Sequence, residues 1–167
     1  MDSYQIDIAG LKRSLKLCKI SDDLYIAAFI LFGDVELTEH CAKKLLEIAP
    51  EHDYIITAEA KSIPLVYEMA RQSGNNNYFI ARKGLKLYMT DPINVEVKSI
   101  TTDRLQTLYL DRADAELMRG KRILIVDDVI STVESLRALE TLVNTAGGTI
   151  VGKMAVLAEG DAIKRED

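Results

Sequence analysis

Cysteine and histidine are scarce in this 167-residue chain, which contains two residues of each. Cys18 and Cys41 have neither the spacing of a metal site nor the number needed for a disulfide framework, and free thiols favour a reducing cytoplasm. His40 and His52 lack the partner patterns that are typical of metal binding or nucleophilic catalysis. The scarcity therefore argues against a metal module, a disulfide-rich fold and histidine-dependent nucleophilic chemistry.

Long apolar runs and excess positive charge are also missing. The most apolar N-terminal run, residues 24–32, is far shorter than the roughly 20 residues that span a bilayer, and no secretory pattern precedes it. A net charge of −5 argues against nucleic acid as the main ligand. With 48% apolar and 28% charged residues, the composition is that of a globular protein. We therefore expect one cytoplasmic domain over residues 1–167, with no membrane or nucleic-acid partner.

Apolar strands alternate with helical patterns along the chain, which predicts an α/β fold with an open, mostly parallel, twisted sheet flanked by helices. The predicted strands cover residues 24–30, 54–57, 78–81, 123–126 and 149–157, and the predicted helices cover residues 36–49, 63–74 and 136–143.

The pattern weakens between residues 84 and 112. Residues 95–97 and 107–110 are predicted to be the two arms of a hairpin. A long polar insertion of this kind is typical of a functional or mobile segment. The charged tail, residues 161–167, is expected to fray.

Residues 122–135, RILIVDDVISTVES, carry the clearest chemical pattern. An apolar run without alternation predicts a strand buried on both faces, and ligands of parallel sheets bind beyond the carboxyl ends of such strands. Asp127 and Asp128 can accept hydrogen bonds from a sugar diol. Ser131, Thr132 and Ser135 offer hydroxyl groups at a helix start, where anions are favoured. The pattern therefore suits a sugar phosphate.

A purely structural reading of part of this motif stays open. Ser131 and Glu134 have the spacing of a capping box, in which each side chain satisfies a backbone N–H at the helix start. Capping does not, however, require the two preceding aspartates.

The stretch VDDVISTVESL resembles the phosphoribosyl-pyrophosphate signature of the type I phosphoribosyltransferases. The likeness extends through Glu59-Ala60-Lys61, Arg82-Lys83-Gly84 and Gly147-Gly148, and within the family it is closest to the adenine and related purine-salvage enzymes. It implies a Rossmann-like fold with a mobile hairpin insertion and a small N-terminal hood. It also implies transfer of a 5-phosphoribosyl group from phosphoribosyl pyrophosphate to a purine base, a need for Mg²⁺, and a homodimer.

The resemblance assigns roles to individual residues. Asp127 and Asp128 would face the ribose hydroxyls and, with Lys83, form the catalytic set. The insertion, residues 84–107, would be a mobile catalytic loop, and Mg²⁺ would be held through the donor and waters without a direct protein ligand. The 5-phosphate loop would comprise Val129, Ile130, Ser131, Thr132, Val133, Glu134 and Ser135, of which Val129 and Ile130 would also form an apolar wall against the base. The pyrophosphate group would contact Glu59, Ala60, Lys61, Ser62 and Arg82.

Two positions depart from the family pattern, and a third, at a position that varies in the family, carries an unfavourable charge. Val133 stands where the family has Gly, a residue that lets the backbone approach a phosphate and adopt a positive φ that would strain Val. Glu134 brings a negative charge near the expected phosphate, and Ser62 stands where Gly is common. These departures keep open an alternative function, a regulatory protein that binds phosphoribosyl pyrophosphate with lost or weak catalysis.

A second alternative comes from signalling proteins. The stretch ILIVDD also resembles the first strand and acid pair of a response-regulator receiver domain. Too little chain follows Asp128 for the remaining strands and helices of that fold, which disfavours this alternative.

Overall fold

A computed structural model describes residues 3–22, 24–98, 105–130 and 133–159, with the backbone alone for residues 98 and 133–135. The strands in this part of the chain are β1 (Ser3–Ile8), β2 (Leu11–Lys19), β3 (Tyr25–Ala28), β4 (Tyr54–Ala58), β5 (Phe79–Ala81), β6 (Ile93–Lys98), β7 (Leu105–Leu110), β8 (Arg122–Ile130) and β9 (Thr149–Ala158). The helices are α1 (Val35–Ile48), α2 (Ile63–Gln72), α3 (Arg112–Met118) and α4 (Val133–Ala146).

The central sheet is parallel and has the strand order β5-β4-β8-β9. Its strand β8 is buried on both faces: Ile123 and Ile125 pack into one apolar cluster, and Leu124 and Val126 pack into the other. Because neither face of the strand meets water, its sequence needs no polar alternation. The predicted α/β fold with a mostly parallel sheet is confirmed.

Helices cover both faces of this sheet. On one face, the cluster contains residues of α3, α4 and the β6–β7 hairpin, including Ala115, Leu139 and Leu108. On the other face, it contains residues of α1, α2 and the N-terminal strands, including Leu37, Leu65 and Ile8. Within the described residues, no helix is both long and apolar enough to cross a bilayer.

The N-terminal strands form a separate antiparallel sheet with the order β1-β2-β3. The β1–β2 turn passes through Ala9 and Gly10, both at positive φ. Arg13 on β2 joins this sheet to α1, because its Nε lies 2.6 Å from Oδ2 of Asp34, the residue that caps that helix. The sequence predicted only β3 of these strands.

Other boundaries also differ from the expectations. The β6–β7 hairpin is present as predicted, but α3 was not predicted. β8 continues through Asp127 and Asp128 to Ile130, because it pairs with β9 as far as Ala158. The expected tail, residues 161–167, and the centre of the insertion, residues 99–104, lie outside the described residues.

The order of the strands places a crevice at the carboxyl ends of the two central strands, β4 and β8. From β4 the chain crosses through α2 to β5 on one side, whereas β8 pairs with the other side of β4 and leads through α4 to β9. The connections that follow β4 and β8 therefore diverge. Ligands of open α/β sheets bind in the crevice outside the carboxyl ends of strands at such a reversal.

Candidate active site

The two aspartates near the end of β8 meet a serine from the loop after β4. Ser62 Oγ lies 2.6 Å from Asp127 Oδ1 and 3.1 Å from Asp128 Oδ1. A hydroxyl has one hydrogen to donate, and the shorter distance assigns it to Asp127. The backbone N–H of Asp128 donates to Ser62 Oγ at 2.8 Å and to Asp127 Oδ1 at 2.9 Å. The predicted acid pair is thus held against the β4–α2 loop.

The surroundings of the acid pair disfavour the ionised form of Asp127. The pKa of Asp127 is raised to about 6: burial is the largest cause, the hydrogen bond from Ser62 opposes it, and the neighbouring Asp128 carboxyl adds to it. Two carboxyl groups this close disfavour having both charges present at once. A cation or a set of hydroxyl donors entering the crevice would relieve this repulsion.

Asp128 points inward and Lys61 reaches it from the surface. Asp128 is buried, and the Nζ of Lys61 lies 3.2 Å from its Oδ2. Among the described residues, no hydrogen bond with good geometry reaches this buried Oδ2. Lys61 is half-exposed, so its ammonium group can turn toward a ligand in the crevice.

A second charged cluster forms around Glu59, which follows β4, and includes residues that follow β5. The Nε of Arg82 lies 3.0 Å from Glu59 Oε2, and the Nζ of Lys86 lies 3.5 Å from Glu59 Oε1. The backbone N–H of Lys83 donates to Glu59 Oε1 at 2.6 Å, while the Lys83 side chain is exposed. Burial favours a higher pKa for Glu59, but the Lys83 N–H and the two cations outweigh it and hold this pKa below its usual value.

Glu59 therefore fastens the Arg82-Lys83 segment to the loop after β4. Its carboxylate is already paired inside the protein, and a negative charge would repel pyrophosphate. The cations around Glu59 are better suited to that anion than Glu59 itself. The sequence pattern did not identify Lys86 as part of this cluster. The available signal was a second positive charge four residues after Arg82.

The predicted 5-phosphate loop is only partly described. Val129 and Ile130 belong to β8 and are partly buried, whereas residues 131 and 132 lie outside the described part of the chain. Val133, Glu134 and Ser135 form the first turn of α4. Because Val133 is in a helix, its backbone has a conformation that β-branched residues tolerate, so the strain expected from a positive φ does not arise. The first turn of α4 offers backbone N–H groups of the kind that bind phosphate.

The site has few candidate metal ligands. Among the described residues, no group of three or more His, Cys, Asp or Glu side chains is arranged to hold a metal ion. Mg²⁺ accepts few protein ligands and keeps its waters when a substrate phosphate supplies the remaining oxygens. Asp127 and Asp128 bring carboxylate oxygens into the crevice, and these are ligands that Mg²⁺ accepts, so the donor set is compatible with this ion.

Comparison with known proteins identifies the family of the chain. A family model described as "Phosphoribosyl transferase domain" matches residues 35–167. A hypoxanthine/guanine phosphoribosyltransferase from Methanosarcina mazei is 31% identical over 129 residues, which cover 77% of this chain and 64% of that relative. An adenine phosphoribosyltransferase from Petrotoga mobilis is 30% identical over 136 residues, which cover 77% of this chain and 72% of that relative. The chain thus spans slightly less than two thirds of the first of these relatives.

Solved structures show the same fold. The crystal structure of an adenine phosphoribosyltransferase from Thermoanaerobacter pseudethanolicus superposes with a TM-score of 0.71 and 15% identity, over 87% of this chain and 95% of that one. The family model covers most of the chain, and the two aspartates near the end of β8 lie at the topological reversal of the sheet. The chain belongs to the phosphoribosyltransferase family.

Proposed function

We propose that this protein transfers the 5-phosphoribosyl group from phosphoribosyl pyrophosphate to a purine base and releases pyrophosphate. The observation that carries the proposal is the contact of Asp127 and Asp128 with Ser62 and Lys61 in the crevice of a phosphoribosyltransferase fold. This contact joins a diol-binding acid pair to a cation that can serve a leaving group. The required chemistry is a displacement at the anomeric carbon of the sugar.

The acid pair would hold the sugar. Asp127 Oδ1 receives the hydrogen bonds from Ser62 and from the Asp128 N–H, and Oδ2 receives neither of these two bonds. That oxygen remains available to a ribose hydroxyl. Carboxylates close to the anomeric carbon also stabilise the positive charge that the sugar develops as its bond to pyrophosphate breaks.

Cations would hold the departing pyrophosphate. Lys61, Arg82 and Lys83 lie on the loops that follow β4 and β5, and their positive charges can stabilise the leaving group. Mg²⁺, bound with the donor, supplies further positive charge to the diphosphate oxygens. Val129 and Ile130 would form an apolar wall beside the base. Closure of the insertion, residues 84–107, would exclude the water that otherwise hydrolyses the donor.

Adenine is the acceptor that we propose first. One of the two relatives above and the similar solved structure are adenine phosphoribosyltransferases, whereas the other relative is a hypoxanthine/guanine enzyme. The family resemblance further supports a cytoplasmic homodimer. Size-exclusion chromatography with light scattering tests the dimer, for which a mass of twice 18.6 kDa is expected.

The activity is tested with a panel of acceptors. The protein is incubated with phosphoribosyl pyrophosphate, Mg²⁺ and one of adenine, hypoxanthine, guanine or orotate, and nucleotide and pyrophosphate are quantified together. We expect equal amounts of both products with a purine. If none of the four bases yields nucleotide, while calorimetry shows that the donor binds, transfer to these bases is refuted.

Donor binding without nucleotide formation would favour a regulatory protein that binds the donor without turnover. The observation that favours it is Val133 at the helix start, where the family has Gly. A bulkier residue limits how closely the backbone approaches a phosphate. Calorimetry with the donor alone separates the two candidates from a protein that has lost the site entirely.

A further inference from the structure

Ser62 stands at the start of α2, but its hydroxyl does not serve that helix. The residue is the N-cap of α2, and its side chain makes no capping hydrogen bond. Serine at an N-cap normally accepts a hydrogen bond from a backbone N–H of the first turn, which contributes about 1 kcal/mol. Here the side chain is only 1% exposed and turns toward the acid pair instead.

The need of the Asp128 backbone N–H for an acceptor does not by itself explain the contacts of the Ser62 hydroxyl. The N–H of Asp128 donates to Ser62 Oγ, but the same N–H also has Asp127 Oδ1 as a second acceptor at 2.9 Å. The hydrogen of the hydroxyl goes to Asp127 Oδ1 at 2.6 Å, a distance typical of a bond from a hydroxyl to a carboxylate and shorter than bonds between neutral groups. The strongest contact of Ser62 is therefore the one with the Asp127 carboxylate.

We propose that Ser62 is a positioning residue that fixes the Asp127 carboxylate, with Oδ1 held inside the protein and Oδ2 presented to the ribose hydroxyls of the donor. The hydroxyl also joins the β4–α2 loop to β8, across 65 residues of sequence. Lys61, next to Ser62, pairs with the adjacent Asp128. The group that binds the sugar and the group that serves pyrophosphate are thereby held as one unit.

This role is specific to the serine of this chain. A glycine, which the family commonly has at this position, has no hydroxyl to donate to the carboxylate. The hydrogen bond also favours the ionised form of Asp127, because it opposes the effects of burial and of Asp128. Removal of the hydroxyl should therefore change both the geometry and the titration of the same carboxyl group.

Three variants test the role of Ser62. Ser62→Ala removes the hydroxyl, Ser62→Thr keeps it, and Ser73→Ala removes a hydroxyl from the other end of the same helix, where Ser73 Oγ donates to the Met69 carbonyl. We expect Ser62→Ala to weaken calorimetric binding of phosphoribosyl pyrophosphate with Mg²⁺ by about tenfold, the usual effect of losing one hydrogen bond to a charged group. Ser62→Thr and Ser73→Ala should stay within about threefold of the unmodified protein.

A second readout does not depend on the donor. The Asp127 carboxyl carbon is titrated by ¹³C NMR in the ligand-free protein, where Asp128 and Lys61 are the charged neighbours that remain in every variant. The titration midpoint should rise in Ser62→Ala and return in Ser62→Thr, whereas Ser73→Ala should leave it unchanged. A loss of stability alone would not produce this pattern.

The two measurements separate the role of Ser62 from the proposed function on which its ligand rests. If the unmodified protein does not bind the donor, the proposed function fails, while the carboxyl titration still tests the hydrogen bond. The role of Ser62 is refuted if Ser62→Ala leaves the midpoint unchanged. It is equally refuted if Ser62→Ala leaves donor affinity unchanged in a protein that binds, or if Ser62→Thr restores neither quantity.

Discussion

Carboxyl groups lie at both ends of the β4–β8 strand pair, but their pKa values are shifted in opposite directions. At the amino end, Arg122 donates from its backbone N–H and its Nη2 to Asp53 at 2.7 and 2.9 Å, and its Nη1 lies 2.9 Å from Glu51. The hydrogen bonds from the Arg122 side chain and backbone lower the pKa of Asp53 to about 2. At the carboxyl end, burial and Asp128 raise the pKa of Asp127 to about 6.

The difference distinguishes a structural end of the sheet from a chemical one. At the amino end, the guanidinium of Arg122 pairs with both Asp53 and Glu51 in partly exposed positions, so these charges are compensated within the protein and have little to gain from a ligand. At the carboxyl end, two buried or partly buried carboxyl groups have one hydroxyl hydrogen, which goes to Asp127, and one lysine, which pairs with Asp128. Incomplete compensation of buried charge is typical of binding and catalytic sites, because a ligand can supply what is missing.

Within this comparison, the largest effect on activity is expected when the lysine at the carboxyl end is replaced. Lys61→Ala removes a cation that would stabilise the departing pyrophosphate, so kcat/KM should fall by about 10²-fold, as when one electrostatic group is removed from other active sites. The matched control is Lys121→Ala, an exposed lysine immediately before β8 at the amino end. Steady-state kinetics checks both variants, and an equal loss in the two would contradict the division between the ends.

A smaller effect, in the opposite direction, is expected from Val133→Gly. A glycine in the first turn of α4 would let the helix start approach the 5-phosphate more closely, and we expect donor affinity to rise by a few-fold. Calorimetry with phosphoribosyl pyrophosphate and Mg²⁺ measures the change. Unchanged or weaker binding would argue against a phosphate at this helix start.

The smallest effect concerns stability, and its sign differs between the two ends. A lowered pKa means that ionised Asp53 stabilises the fold above about pH 4, and that this stabilisation is lost as the pH falls toward 2. A raised pKa means that the folded protein binds the Asp127 proton more tightly than the unfolded chain does. The Asp127 contribution to stability therefore decreases as the pH rises from about 4 to about 6.

Urea unfolding at a series of pH values checks both signs. The free energy of unfolding of Asp53→Asn, subtracted from that of the unmodified protein, should rise between about pH 2 and pH 4. The same difference for Asp127→Asn should fall between about pH 4 and pH 6. Two difference curves of the same slope would show that the two ends do not differ as described.

The sequence was sufficient for the parts of the fold that depend on local pattern. The run from Ile123 to Val126 lacks alternation because β8 is buried on both faces, and that alone predicts a parallel sheet. The order of strand, acids and helix then places Asp127 and Asp128 near the carboxyl ends of the strands. Two helical turns or fewer give too little periodicity to detect, which is why the seven-residue α3 was missed.

The contacts across the crevice could not be predicted in the same way. Ser62 and Asp127 are 65 residues apart, and their meeting depends on the strand order, which brings β4 beside β8. The sequence identified Ser62 as a departure from the family but assigned it to pyrophosphate. Local pattern reports which face of an element is buried, but not which side chains from two elements will touch.

The most direct test of the acid pair uses the double variant Asp127→Asn/Asp128→Asn. The variant keeps the shape of both side chains and removes their charges, and circular dichroism with urea unfolding verifies that it is folded. Calorimetric titration with phosphoribosyl pyrophosphate and Mg²⁺ should then show affinity reduced by at least about 100-fold, since two hydrogen bonds to charged groups are weakened. Donor affinity equal to that of the unmodified protein would contradict the assignment of this crevice as the sugar-binding site.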